Sequence, residues 1–178
     1  MKMSIRTTIA LDEKTSEILE GLRSPSSSQS DVVRKALRFY NEFKDFDGKD
    51  INNLKANADM LSGGEHVILD LDHLVLFLKI IDELPMRDVF WEDHKMIARN
   101  HAEEFRNLDV EHILRRLEAC NLFRIGRSGD GLTLIFGNEA VKKFVRVFLE
   151  EIFANLHKDV ELKDDITKIR VKLPRKEK

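Results

Sequence analysis

The sequence predicts an α+β protein in two parts: an N-terminal strand-helix-helix module folded as half of an intertwined dimer, and a separate C-terminal α+β domain. Three observations predict it. Residues 4–43 read as one alternating strand and two amphipathic helices, a set too small to bury a core alone. Turn formers crowd residues 45–65. Beyond them come helices, a glycine hairpin, a long helix with a wide apolar stripe and a final alternating strand. The expected division is residues 1–45, a linker over 46–65, and a domain over 66–178.

Each element has a local reason. In residues 4–11, Thr7, Ile9 and Leu11 fall on one face of a strand and Arg6, Thr8 and Ala10 on the other. Asp12 ends that strand and suits the N-cap of a first helix, whose stripe is Thr15, Ile18, Leu19 and Leu22. A serine-rich connector, Ser24 to Ser30, follows, and Ser28 or Ser30 can cap a second helix carrying Val32, Val33, Ala36, Leu37 and Tyr40. Ile51, Leu54, Ala58 and Leu61 keep a helical spacing, so a short linking helix fits the boundary. Residues 66–70 suit a strand, and Asp72 a cap for a helix bearing Leu74, Phe77, Leu78 and Ile81, closed by Pro85. Helices are expected over 91–106 and, capped by Asp109, over 110–120. Strands over 122–127 and 132–136 flank Ser128-Gly129-Asp130-Gly131, a strong hairpin signal. A long helix after Gly137-Asn138 carries Val141, Val145, Phe148, Leu149 and Ile152; residues 167–173 alternate as a half-exposed strand, and a loose tail follows.

Composition bounds the function. The chain has 178 residues, 35% of them charged, and a net charge of −2, so DNA binding must rest on local pattern. Even residues 1–45 hold eight Lys and Arg against seven Asp and Glu. Cys120 is the single cysteine, which excludes an intramolecular disulfide and suits a reducing cytoplasm. No secretion signal or transmembrane run is expected.

The first strand carries the sharpest functional signal. A two-stranded ribbon fits the major groove, where every base pair shows a distinct donor and acceptor pattern. Arg6 supplies a fork for guanine, Thr8 a hydroxyl and a methyl, and Ala10 an apolar contact. Free backbone amides after the serine turn can grip a phosphate. These residues, with the runs Arg6 to Asp12 and Ser28 to Arg38, resemble the ribbon-helix-helix repressors of the Arc and MetJ superfamily, more narrowly their CopG-like members. The resemblance implies a homodimer on double-stranded DNA, with Arg6, Thr8 and Ala10 against bases and Ser28, Gln29 and Ser30 near a phosphate. Adjacent dimers would gain avidity from one another.

Metal must be weighed, because nickel-responsive members of that family add a sensing domain. His94 and His101 can share a helix face and Cys120 can join them, but the spacing is not a tight ligand pair. No metal or other cofactor is therefore assigned, and His73 reads as a packing residue. Residues 110–136 also look like the recognition helix and wing of a winged-helix protein, with Arg115, Arg116, Arg124 and Arg127 as a second basic surface. The long helix and strand that follow suit a sensor domain at least as well, and the region loosely resembles small-ligand domains of the vinyl-reductase type.

No enzyme motif is present, and Asp70 with Asp72, or Asp164 with Asp165, read as caps and turns. Phe77, Phe90, Trp91, Phe144, Phe148 and Phe153 suit a core, and some of them an apolar effector pocket. The expected function is a cytoplasmic, homodimeric DNA-binding repressor whose C-terminal domain senses a small effector or fixes the oligomer. The alternatives are an antitoxin-like protein-interaction module and a metal-responsive regulator.

Overall fold

A computed structural model describes residues 6–173 except 47, 65, 129 and 130, and except the side chains of 49, 50 and 128. The chain divides into two compact units, Met1–Asn52 and Asn53–Lys178.

The first unit holds α1 (Glu13–Gly21) and α2 (Gln29–Phe43). Asp12 caps α1, accepting from the Thr15 backbone N–H at 2.7 Å. Ser28 caps α2 through a reciprocal box: the Ser28 hydroxyl accepts from the Asp31 N–H, and the Asp31 carboxylate accepts from the Ser28 N–H. Neither helix contains a buried residue.

The expected fold class is corrected here. The protein is mostly helical, with seven helices and one small antiparallel sheet near the C-terminus among the described residues. A module of the expected kind begins with a strand, and residues 6–11 form none. Residues 4 and 5 of that expected strand lie outside the described residues. Alternation is only a local preference; a strand exists when a partner completes its hydrogen-bond ladder. The first unit offers no such partner among the described residues, and Ile9 and Leu11 stay exposed.

The boundary between the units falls inside α3 (Gly48–Ser62), a helix of 15 residues where a short one was expected. Residues 66–70, expected as a strand, have no regular structure, and Val67 and Ile68 are among the most exposed apolar residues. They too lack a ladder partner. Asp70, not Asp72, caps the next helix, accepting from the Asp72 N–H at 2.8 Å.

The second unit continues with α4 (Leu71–Glu83), α5 (Arg87–Glu104), α6 (Val110–Ala119), β1 (Arg124–Ser128), β2 (Gly131–Ile135), α7 (Glu139–Asn155), β3 (Glu161–Asp165) and β4 (Lys168–Lys172). The strands run in the order β1-β2-β4-β3, each pair antiparallel. Sequence reasoning misses β3, whose Glu161-Leu162-Lys163-Asp164-Asp165 shows one apolar residue. Pairing with β4 creates it, setting Leu162 opposite Val171. The hairpin joins β1 to β2, and the tip at Gly129-Asp130 lies outside the described residues, as does the tail.

The core forms where α7 meets its neighbours. Val141, Val145, Leu149 and Ile152 recur every three or four residues along α7 and are buried. Leu132 and Leu134 of β2 face the same side as Ile169 and Val171 of β4, with Leu134 opposite Ile169. Ile113 and Leu114 of α6 complete this cluster. Helices α4 and α5 pack on α7, and α5 meets it from His94 at Phe144 to Arg99 at Glu151.

Candidate functional site

The pairing of α5 with α7 opens a cavity of about 380 Å³ within the second unit. Its wall is almost wholly apolar and aromatic. Phe90, His94, Ile97 and His101 recur at helical spacing along α5 and reach it together; Phe144 and Phe148 reach it from α7. Met60, Leu117 and Leu122 close other parts of the wall, and Asp93, Glu104 and Arg116 add charge to the lining.

His94 is the buried polar group of this wall, with only 4% of its surface exposed. Its ring stacks on Phe144, centroids 4.0 Å apart at 27°, and lies at 5.7 Å from Phe148. Phe90 is parallel to it within 3° at 6.1 Å. Its Nε2 donates to the Phe144 carbonyl at 3.0 Å. A carbonyl can only accept, so Nε2 carries the proton and, in the neutral ring, Nδ1 carries a lone pair. Burial holds the His94 pKa below the ordinary imidazole value, against the opposing pull of the Phe144 carbonyl.

The other two histidines and the thiol at the wall have contacts of their own. His101 Nδ1 lies 3.0 Å from the Ile97 carbonyl, and His66 Nδ1 lies 3.1 Å from the Met60 carbonyl. The Cys120 thiol touches Met60 Sδ at 3.7 Å. Desolvation pushes that thiol up, with Arg116 pulling the other way, which favours the protonated form. The structure thus brings His94, His101 and Cys120 to one cavity, yet no group of three His, Cys, Asp or Glu among the described residues could hold a metal ion.

The remaining candidates lie elsewhere. Phe153 is core, Phe77 is exposed, and Trp91 donates its indole N–H to Asp82 at 3.2 Å. His73 is exposed, although expected to pack. Two of the four arginines of the basic face expected over 110–136 are paired with carboxylates: Arg115 with Glu118 at 3.0 Å and with Glu111 at 3.3 Å, and Arg127 with Glu111 at 2.6 Å. Arg116 turns to the cavity, and β2 is covered by β4, so the hairpin is not a free wing. Asp70 is a cap, and Asp165 accepts from the Ile166 N–H in the β3–β4 turn.

In the first unit Arg6, Thr8 and Ala10 are exposed ahead of α1. Ser28 Oγ both caps α2 and donates to Asp31 at 2.7 Å, and Gln29 donates its amide to Glu20 at 2.6 Å. Ser30 is the second residue of α2. These bonds occupy Ser28 and Gln29 within the unit. Ser24, Ser26 and Ser27 instead border a polar hollow with Arg34, Lys35 and Arg38, cations that the expected phosphate contacts did not include. Asp31 lies in the same hollow, its carboxyl held well below the usual range by Ser28 and by Arg34 at 2.6 Å.

Compared with protein-family models, curated proteins and solved structures, the chain matches none. No helix among the described residues is long and apolar enough to cross a membrane.

Proposed function

We propose that this chain is a cytoplasmic DNA-binding regulator, a repressor by promoter occlusion, governed by a small apolar effector held in the second unit. The observation that carries the effector half of the reading is the cavity between α5 and α7. At about 380 Å³ it is over twice the roughly 150 Å³ that admits benzene to an apolar protein cavity, and it opens beside buried His94. A core has no need of such a space, because unfilled apolar volume costs stability.

The DNA half rests on the first unit. Exposed Arg6 and Thr8 suit base edges, and Arg34, Lys35 and Arg38 beside the serine turn suit phosphates. A homodimer fits the same unit, because its two helices leave Ile18, Leu22, Leu37 and Tyr40 exposed and bury nothing. Selection of random duplex DNA by the full chain tests this reading. Enrichment of a repeated half-site, with Arg6→Ala weakening it by roughly 1–3 kcal/mol, is expected; recovery of no motif removes the DNA role.

A second reading, a protein-interaction module, is favoured by one observation. Leu76, Phe77 and Ile80 form an exposed apolar stripe on α4. Co-purification of a stoichiometric protein partner, lost on Phe77→Lys, would support it over the regulator.

A further inference from the structure

The cavity wall is not uniform in chemistry. His94 Nε2 is committed to the Phe144 carbonyl, while Nδ1 has no protein partner among the described residues. No side-chain nitrogen or oxygen among them is both sealed from open space and unpartnered. Nδ1 therefore keeps access to open space, and the space that His94 borders is the cavity. An acceptor at an apolar wall loses free energy until a donor meets it.

We infer that the cavity takes a flat, uncharged aromatic molecule bearing one hydrogen-bond donor, a phenol or an indole-type N–H, which donates to His94 Nδ1. The inference rests on the effector reading above and names the effector's chemistry. The rings of Phe90, Phe144 and Phe148 supply faces and edges for an aromatic guest, a geometry that favours planar over branched ligands. The volume suits two fused rings better than one. The apolar wall disfavours a charge, since a buried ion needs a partner. Arg116 could partner an anion, but Asp93 and Glu104 share the lining and oppose it. His66 and His101 also line the cavity with Nδ1 on a carbonyl, but both are only partly buried, so the polar selectivity falls to His94, the buried acceptor, whose orientation is fixed by the Phe144 carbonyl.

Calorimetric titration of the full chain with 2-naphthol, 2-methoxynaphthalene and 2-naphthoate tests this. The naphthol is expected to bind about tenfold more tightly than its methyl ether, which cannot donate. His94→Phe should erase that ratio while both neutral compounds still bind; His94→Gln, which keeps an acceptor, should retain part of it. Equal affinities in the native chain overturn the assignment, and so does a ratio that survives His94→Phe. Tightest binding of the naphthoate also overturns it, placing the anchor at Arg116. If the neutral compounds bind without discrimination, only the role of His94 falls. If none of the three binds, the effector cavity falls with it. Should His94→Phe not fold, the native chain and His94→Gln still decide.

Discussion

His94 lies on Phe144 with ring centroids 4.0 Å apart and donates Nε2–H to the carbonyl of the same residue at 3.0 Å. One residue of α7 thus fixes both the plane and the tautomer of a histidine on α5. Burial lowers the pKa of this imidazole from 6.5. The unfolded chain then binds a proton more readily than the folded one as the pH falls. The stability tied to neutral His94 is fully present above about pH 6.5 and is lost progressively as the pH drops below it. Urea midpoints at pH 7.5 and 5.5 should show the decline, and His94→Gln should make it shallower. An equal decline in both proteins would assign the effect to other groups.

Local signals were readable where a single residue type performs a single task. Asp12, Ser28, Asp109 and Asn138 each cap the helix they precede, because a short polar side chain satisfies a free N–H wherever it falls. The α7 stripe of Val141, Val145, Leu149 and Ile152 was visible for the same reason. Residues 6–11 form no strand because alternation says nothing about a partner, and β3 is not legible because its partner supplies the order that Glu161 to Asp165 lacks. For the site, the helical spacing of His94 and His101 was visible, and so was the aromatic content of α7. Their meeting depends on how α5 packs against α7, which no spacing within either helix encodes. Met60 and Ile97 gave no signal at all.

Lys142 holds the β3–β4 turn to α7. Its side chain is buried, and Nζ donates at 2.9 Å to both the Asp165 and the Ile166 carbonyls. Glu139 at 2.9 Å and Asp164 at 3.5 Å keep it charged. Lys142→Met keeps the apolar stem and removes every donor, so it should cost roughly 1–3 kcal/mol in urea unfolding. Glu139→Gln should cost less than about 1 kcal/mol, because Glu139 is exposed and water replaces the lost bond. Similar losses in both variants would mean that the ion pair, not the carbonyl contacts, secures the turn.

Leu37 and Leu149 separate assembly from folding. Leu149 is fully buried in the core of the second unit, so Leu149→Ala should destabilise that unit by about 2–5 kcal/mol. Leu37 is 60% exposed on α2. If a second copy covers the first unit, Leu37→Asp should shift sedimentation from dimer to monomer while the main unfolding transition stays within about 0.5 kcal/mol. A variant that remains dimeric would move the proposed interface off this face.

Ile97 tests the cavity without disturbing the core. It lies on α5 between His94 and His101, lines the cavity and is about half exposed, at 48%. An indole at this position can enter the cavity because the wall is apolar and open space is already there. Ile97→Trp should therefore weaken 2-naphthol binding at least tenfold, while thermal unfolding changes by no more than a surface substitution does, about 0.5 kcal/mol. The two readouts must separate. A folded variant with unchanged naphthol affinity would mean that the molecule binds elsewhere on the chain. Parallel loss of stability and affinity would mean that Ile97 supports the α5–α7 packing, and the cavity would then need to be blocked from Leu122 on the far side of α6 in sequence.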